Sequence, residues 1–171
     1  MRCIWLMLTR CRLILILQNS IKMATTYETD IVAWANEQAY LLRSGMLSAI
    51  DIEHIAEEIE DVGKSEQREL ASRLAVLLAH LLKWQYQSTR QSSSWQRTIK
   101  EQRKAIARRL MNTPSLKTSV NDMEWLADAW GDAVSIAINE TGLDCFPEAC
   151  RWPIDSILSE NWLPSSNGDD N

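Results

Sequence analysis

The apolar positions of this chain recur every three or four residues over long stretches, which is the spacing of one face of an α-helix. The longest stripe consists of Ile52, Ile55, Ile59, Val62, Glu66, Leu70, Leu74, Leu77, Leu81 and Trp84. It predicts one very long helix or two collinear helices, with Gly63 as the joint. Ser48, with Asp51 three residues later, predicts where this helix starts. No segment alternates with period two, so no strand is expected.

Two shorter stripes flank the long one. The first predicts a helix over about residues 28–43, ended by Gly45, which stands where a C-terminal cap belongs. Its face is Tyr27, Ile31, Trp34, Gln38 and Leu41. The second predicts a helix from Ser93 to Arg109, because Ser93 precedes Gln96 by three residues in the manner of a capping box. Its face is Trp95, Ile99, Gln102, Ile106 and Leu110.

The last long helix is predicted to begin at Thr113-Pro114 and to end at Gly142. Its stripe is close to a heptad repeat: Leu116, Val120, Met123, Ala127, Trp130, Val134, Ala137 and Thr141. Pro153 then begins a short helix containing Ile157 and Leu158. The predicted fold class is all-α, an up-and-down helical bundle of about four long helices plus a short C-terminal helix. Residues 23–164 would form a single helical domain, followed by a disordered tail at 165–171.

The first 22 residues resemble a membrane segment without meeting its requirements. Ile4 to Leu17 spans 14 residues and contains Arg10 and Arg12, whereas a spanning helix needs about 20 apolar residues. A secretory signal would need an uninterrupted apolar stretch and a small-residue cleavage site. We therefore predict no membrane span, and we expect residues 1–22 to be a mis-assigned extension or a disordered leader before Met23. A weak interfacial anchor is the alternative.

Composition adds two features to this picture, an excess of tryptophan and an uneven distribution of charge. Eight Trp stand against one Phe in 171 residues, and an indole N–H needs a partner when buried. The net charge is −5, which argues against a globally basic nucleic-acid binder. Residues 28–69 carry eleven acids and three bases, whereas residues 73–109 carry nine bases and one acid. The favoured interpretation is that acidic and basic helices lie side by side.

Several polar residues stand on or beside apolar faces, where a buried carboxylate, imidazole or amide must find a partner. Gln38, Glu66 and Gln102 interrupt their stripes, and Glu58 and His80 flank the long stripe on one side. No catalytic motif accompanies them. Ser92, Ser93 and Ser94 are typical of helix caps, and no phosphate-binding glycine loop occurs. We predict no metal and no cofactor.

The four cysteines do not form a disulfide framework. Cys145 and Cys150 lack the second close pair, or the nearby histidine, that a zinc site would need. Two reduced thiols are typical of a cytoplasmic protein.

The order of several motifs, YETDIVAWANEQAYLLRSG, IAEEIEDVGKSEQRELASRLAVLLAHLLKWQYQ, SSSWQRTIKEQRKAI, PSLK, ETGL and FPEAC…WP, resembles a bacterial family. It is the domain-of-unknown-function family numbered twenty-nine, and the likeness covers about Tyr27 to Pro164. The resemblance implies an all-helical, cytoplasmic bacterial protein with no established activity. The chain departs from the family at Cys150, which is followed by Arg151 rather than proline.

The family's characteristic polar positions fall here on Glu57, Glu58, Glu60, His80, Lys83, Trp84, Ser94, Trp95, Gln102 and Arg103. Together with the polar positions noted above, they define a candidate polar core cluster: Glu57, Glu58, His80, Lys83, Gln102 and Arg103. A candidate basic surface consists of Arg97, Lys100, Lys104 and Arg108, which share one helical face.

Three functions remain open at this point. The favoured one is a non-enzymatic helical interaction module, with a protein partner or self-association. The second is nucleic-acid contact through the basic helix 94–109, with Trp95 available for stacking. The third and weakest is an enzyme with a polar core site at Glu58, His80 and Arg103.

Overall fold

The computed structural model describes residues 26–165 of the chain. The predicted leader at 1–22 lies outside the described residues, as does the tail beyond residue 165. Both predictions stay predictions.

Helices are the main regular structure of the described chain, and no strand occurs between residues 26 and 165. The helices are α1 (Ile31–Arg43), α2 (Ile52–Tyr86), α3 (Ser93–Asn112), α4 (Leu116–Val120), α5 (Met123–Thr141) and α6 (Ile154–Leu158). Two short 3-10 turns, Leu47–Ala49 and Ser88–Arg90, lie on either side of α2. The all-α helical bundle is therefore confirmed, with four of the helices long. No helix within the described residues is long and apolar enough to cross a membrane.

The described residues divide into two compact units, residues 26–60 and residues 61–165. They are called the first and the second unit. Helix α2 is continuous from one into the other. A single domain over residues 23–164 stays a prediction.

The start of α2 differs from what the sequence predicted, whereas one very long helix, the first of the two alternatives for this stripe, is confirmed. Ser48 lies in a 3-10 turn, and the helix begins after Asp51, whose Oδ1 accepts a hydrogen bond from the His54 N–H at 3.4 Å. At Gly63 the helix continues without a break. The stripe is also not uniform, because its residues are buried from Leu70 onward whereas Ile52, Ile59 and Val62 are exposed.

Helix α3 begins at the predicted place, with its cap one residue earlier than expected. Ser92 has an extended backbone, and its Oγ accepts a hydrogen bond from the Trp95 N–H at 3.4 Å. Ser93 is already helical, so its backbone cannot serve as the cap.

The predicted heptad helix from Pro114 to Gly142 is wrong, because it is two helices. Asp122 caps α5, with Oδ1 accepting from the Glu124 N–H at 2.8 Å and the Trp125 N–H at 3.2 Å. This new start resets the helical phase, so that Met123 is 86% exposed and Ala127 is exposed as well. The buried positions of α5 are Ala129, Trp130, Ala133 and Ala137. Gly142 ends the helix with φ 71°, as predicted.

The second unit contains the apolar core. Leucines of α2 pack with Ile99 and Ile106 of α3, with α4 and α5, and with Ile157 of α6. Tryptophans extend this core into the C-terminal segment, because the ring centroid of Trp152 lies 5.4 Å from that of Trp130 and 5.6 Å from that of Trp162. The buried Trp130 indole N–H donates to the carbonyl oxygen of Pro147 at 2.9 Å.

The Asp122 cap generates the first testable prediction. Replacing Asp122 with Ala leaves two amide N–H groups of α5 without their acceptor, so we expect the free energy of unfolding to fall by about 1 kcal/mol. Asp122→Asn keeps the acceptor oxygen, so its free energy of unfolding should fall by only a few tenths of a kcal/mol. Urea denaturation followed by circular dichroism measures both, and equal losses in the two variants would contradict the assignment of the cap.

Candidate functional site

Arg103 is a buried charge that holds the C-terminal segment. Its Nε donates to the carbonyl oxygen of Ile157 at 2.8 Å, and its two terminal nitrogens donate to those of Glu160 at 3.1 Å and Trp162 at 2.7 Å. Burial lowers the pKa of the guanidinium, which is nevertheless protonated in proteins. Because all of its nitrogens act within the fold, Arg103 is a structural residue here.

A second polar group surrounds Lys83, which is 4% exposed. Its Nζ donates to the Glu140 carboxylate of α5, lies 3.3 Å from His80 Nε2, and stands 5.0 Å from the centre of the Trp95 ring. A buried ammonium is tolerated when it is paired in this way. The group therefore joins three helices through one lysine.

Both ring nitrogens of His80 are occupied. Nδ1 lies 2.9 Å from the carbonyl oxygen of Val76, so Nδ1 must carry the proton, and Nε2 accepts from Lys83. Burial lowers the pKa of His80. A neutral imidazole with both nitrogens engaged is poorly placed to act as a general base.

The remaining members of the predicted polar core cluster lie elsewhere. Glu57 is an exposed residue of the first unit, and Glu58 accepts a hydrogen bond from the Tyr27 hydroxyl at 2.6 Å. Gln102 has a buried Oε1 with no hydrogen-bond partner among the described residues. Contacts thus join His80 with Lys83, whereas Glu58, Gln102 and Arg103 have other surroundings.

The first unit is organised around His54, a residue that no sequence motif singled out. Its ring stacks on Tyr27 at 4.3 Å, and its Nδ1 lies 2.7 Å from Asp51 Oδ2. The same carboxylate accepts from the Trp34 indole N–H at 3.2 Å, and the Asp51 backbone N–H donates to Gln38 at 2.8 Å. This network connects α1 to the start of α2.

The network shifts the pKa of both of its titratable members. The hydrogen bond to Asp51 raises the pKa of His54. Partial burial opposes ionisation of Asp51, but hydrogen bonds from His54 and Trp34 outweigh it and lower the pKa of that carboxyl. An imidazolium–carboxylate pair is therefore favoured at this position.

The predicted basic surface is exposed at all four of its positions, Arg97, Lys100, Lys104 and Arg108. Lys100 Nζ lies 3.9 Å from Glu160 Oε1. Trp95, considered above for base stacking, is half-buried beside Lys83.

At the C-terminal end of α3, Arg108 borders a cavity of about 370 Å³, which we name the arginine cavity. Its lining is Glu66, Arg73, Ala105, Arg108, Arg109, Asn112 and Thr113. Arg109 donates to Glu66 and lies 3.6 Å from Glu69, which also pairs with Arg73 at 2.7 Å. These contacts join acidic and basic helices, as the charge pattern favoured. Of the seven lining residues, only Arg108 belongs to a candidate site predicted from the sequence. Glu66 is predicted there only as a polar interruption of its stripe.

The family comparison agrees with the motif order. The family model described as "Domain of unknown function DUF29" matches residues 26–163. The chain belongs to this family. No curated protein and no solved structure matches it significantly. The description of the DUF29 family names no activity. Among the described residues of this DUF29 chain, no group of three or more His, Cys, Asp and Glu side chains is arranged to hold a metal ion.

Removal of the Arg103 side chain tests its structural role. Arg103→Met leaves three carbonyl groups without their charged donor, so we expect the free energy of unfolding to fall by about 3 kcal/mol. Arg103→Lys should restore little of the lost free energy of unfolding, because an ammonium lacks the planar fork of N–H donors. Urea denaturation gives the size of the loss, and limited proteolysis should show cleavage between residues 152 and 164. The exposed Arg97→Met is the control, and a loss no larger than in that control would contradict the assignment.

The chain has two histidines, and they should respond to pH in opposite ways. The raised pKa of His54 contributes stability that is full below about pH 6.5 and is lost as pH rises through its folded-state pKa. The lowered pKa of His80 contributes stability that is full above about pH 6.5 and is lost as pH falls through its folded-state pKa. NMR titration of the two imidazole signals should place His54 above and His80 below that value. The variants His54→Gln and His80→Gln assign the two signals. A pKa of His54 below that of His80 would contradict the hydrogen bond assigned to His54 and the burial assigned to His80.

Proposed function

We propose that this chain is a non-enzymatic helical interaction module whose first unit binds a basic amphipathic helix of a partner protein. The observation that carries the proposal is the distribution of exposed apolar side chains. Eight large ones lie in the described part of the first unit: Ile31, Val32, Tyr40, Leu42, Met46, Leu47, Ile52 and Ile59. Trp34 is the buried apolar residue there. Interaction sites are rich in exposed apolar side chains, so this unit is the better candidate for one.

The apolar stripe at the start of α2 supplies a surface for a helix. Ile52 and Ile59 are each 68% exposed and stand seven residues apart, with the partly buried Ile55 between them. Residues at this spacing lie on one face, two turns apart. A partner helix recognised in this way would present apolar anchors with the same period.

Charge determines which kind of helix fits. Residues 26–60 contain one basic residue, Arg43, against eight acids: Glu28, Asp30, Glu37, Asp51, Glu53, Glu57, Glu58 and Glu60. A basic helix would meet complementary potential, whereas a second copy of the same surface would bring like charges together. The choice of a basic partner rests on this complementarity.

The two helices of the first unit are already connected to each other in the absence of a partner. The hydrogen bonds of Asp51 with Trp34, His54 and Gln38 connect α1 to the start of α2. A surface that is already ordered loses less conformational entropy on binding. We place the partner in the cytoplasm, which the free thiols of Cys145 and Cys150 support.

The choice of an interaction module over an enzyme is supported by the way the candidate polar residues are used. His80, Lys83 and Arg103 all have their nitrogens engaged within the fold. A base or nucleophile without contacts inside the fold would instead favour an enzyme.

The test uses a synthetic amphipathic peptide of about 18 residues, with Leu on one face and Lys elsewhere. Binding by the full chain is measured by fluorescence anisotropy at low and high salt. We expect Ile52→Ser with Ile59→Ser to weaken binding by roughly tenfold or more, since two anchors lose their apolar contact. Glu53→Lys with Glu57→Lys should weaken it further and reduce its dependence on salt.

Met123→Ser is the matched control, because Met123 is also an exposed apolar residue but belongs to the second unit. Equal loss in this control, or equal binding of a peptide with Glu in place of Lys, would contradict the proposal. Light scattering that shows a dimer broken by the Ile52 and Ile59 substitutions would instead assign the stripe to a second copy of the chain.

A further inference from the structure

We propose that the arginine cavity of the second unit binds a small phosphate-bearing ligand, with a pyrophosphate group as its minimal form. This inference concerns a site and a ligand class separate from the helix-binding function proposed above. Three observations support it: the size of the cavity, the arginines in its lining and the carboxylates that pair with two of these arginines.

The cavity presents side chains suited to phosphate oxygens. Arg73, Arg108 and Arg109 are among its lining residues, and a guanidinium matches two oxygens of one phosphate through parallel N–H groups. Asn112 and Thr113 add an amide and a hydroxyl to the same lining. The volume of about 370 Å³ lies in the range of small-ligand sites, roughly 300–1,000 Å³.

Two of the three arginines, Arg73 and Arg109, already pair with carboxylates within the fold. Arg109 donates to the Glu66 carboxylate and lies close to Glu69, and Arg73 pairs with Glu69 at 2.7 Å. Two carboxylates thus face three guanidiniums, which leaves an excess of one positive charge. A phosphate oxygen entering the cavity would compete with Glu66 for Arg109 and with Glu69 for Arg73, while gaining Arg108.

Charge along α3 favours the approach of an anion to this cavity. Arg97, Lys100, Lys104 and Arg108 follow one another at spacings of three and four residues, so they form a single exposed line along the helix. Arg108, the last of them, also lines the cavity. A potential of one sign beside a concave site raises the local concentration of the oppositely charged ligand.

A small ligand fits these observations better than a nucleic acid does. Three arginines line one cavity, whereas a nucleic-acid strand needs a long basic track and accessible aromatic rings. Within the line on α3, Lys100 lies near Glu160, and Trp95 is half-buried beside Lys83. The whole chain is also acidic, with a net charge of −5.

The test is calorimetric titration of the full chain with inorganic pyrophosphate, in low salt and without divalent cations. We expect saturable binding at one site, weakened roughly tenfold or more by Arg108→Gln and by Arg73→Gln. The decisive variant is Glu66→Gln. Because it removes the carboxylate that competes for Arg109, it should strengthen binding severalfold rather than weaken it.

Arg97→Gln is the matched control, since Arg97 belongs to the same helix but does not line the cavity. We expect it to change pyrophosphate binding less than twofold. Every substituted side chain is at least partly exposed, so none of these variants removes a core residue. Urea denaturation of each variant checks that the fold is retained.

Three results would overturn the proposal: no binding of pyrophosphate, weaker binding in Glu66→Gln when the fold is intact, or equal losses in Arg97→Gln and Arg108→Gln. A single-stranded oligonucleotide forms the second arm. If it binds where pyrophosphate does not, and Arg97→Gln weakens it as much as Arg108→Gln, the basic line would be a nucleic-acid surface and the cavity assignment would be wrong. None of these readouts depends on the apolar stripe of the first unit.

Discussion

The second unit depends on one buried guanidinium. Arg103 is a charge placed within an apolar core, and a charge in such a position must be fully hydrogen-bonded to be tolerated. Its partners are three main-chain carbonyl groups at Ile157, Glu160 and Trp162. Those carbonyls lie at and beyond the end of α6, in a segment with little regular structure of its own. The guanidinium therefore satisfies the backbone of this segment and fixes Trp162 against Trp152.

The two units are stabilised by different kinds of interaction. Leucines of α2 and the tryptophans around Trp130 give the second unit a continuous apolar core. In the first unit the burial of Trp34 is accompanied by hydrogen bonds and ring contacts among Tyr27, Asp51 and His54. Polar networks of this kind fix geometry well, but they contribute less free energy than apolar burial of similar extent. The surface that we assign to a partner belongs to the unit with the smaller core.

The helical periodicity of the sequence was sufficient to predict the fold class, because a spacing of three and four over many turns has one structural interpretation. The end of α5 at Gly142 was equally predictable, since a left-handed backbone favours glycine. The break at Asn121–Asp122 was not. The heptad spacing of apolar residues continues across this break. The only local signal is the capping residue Asp122, and an aspartate is equally common on the exposed face of a continuous helix.

The candidate site was predicted less completely than the fold, since each contact depends on residues far apart in the sequence. His80 and Lys83 lie one turn apart, so their contact could be expected from the sequence, but the hydrogen-bond partner Glu140 is 57 residues from Lys83. Arg103 was selected as a polar residue that could not simply face water, and its carbonyl partners carry no sequence signal at all. The arginine cavity was missed for a similar reason, because Arg73 and Arg109 come from different helices and resemble ordinary surface charges.

The continuity of α2 has a consequence for how the chain opens and closes. Its 35 residues begin with exposed isoleucines, whereas the leucines of its second half are buried. Backbone amides near Leu77 can exchange with solvent only when the leucine core opens, whereas those near Ile55 need only fraying of the first turns. We therefore expect the amides near Ile55 to exchange with solvent faster than those near Leu77, although both belong to one helix. Binding of a partner to the exposed isoleucines would slow exchange in the first turns and leave the leucine segment unchanged.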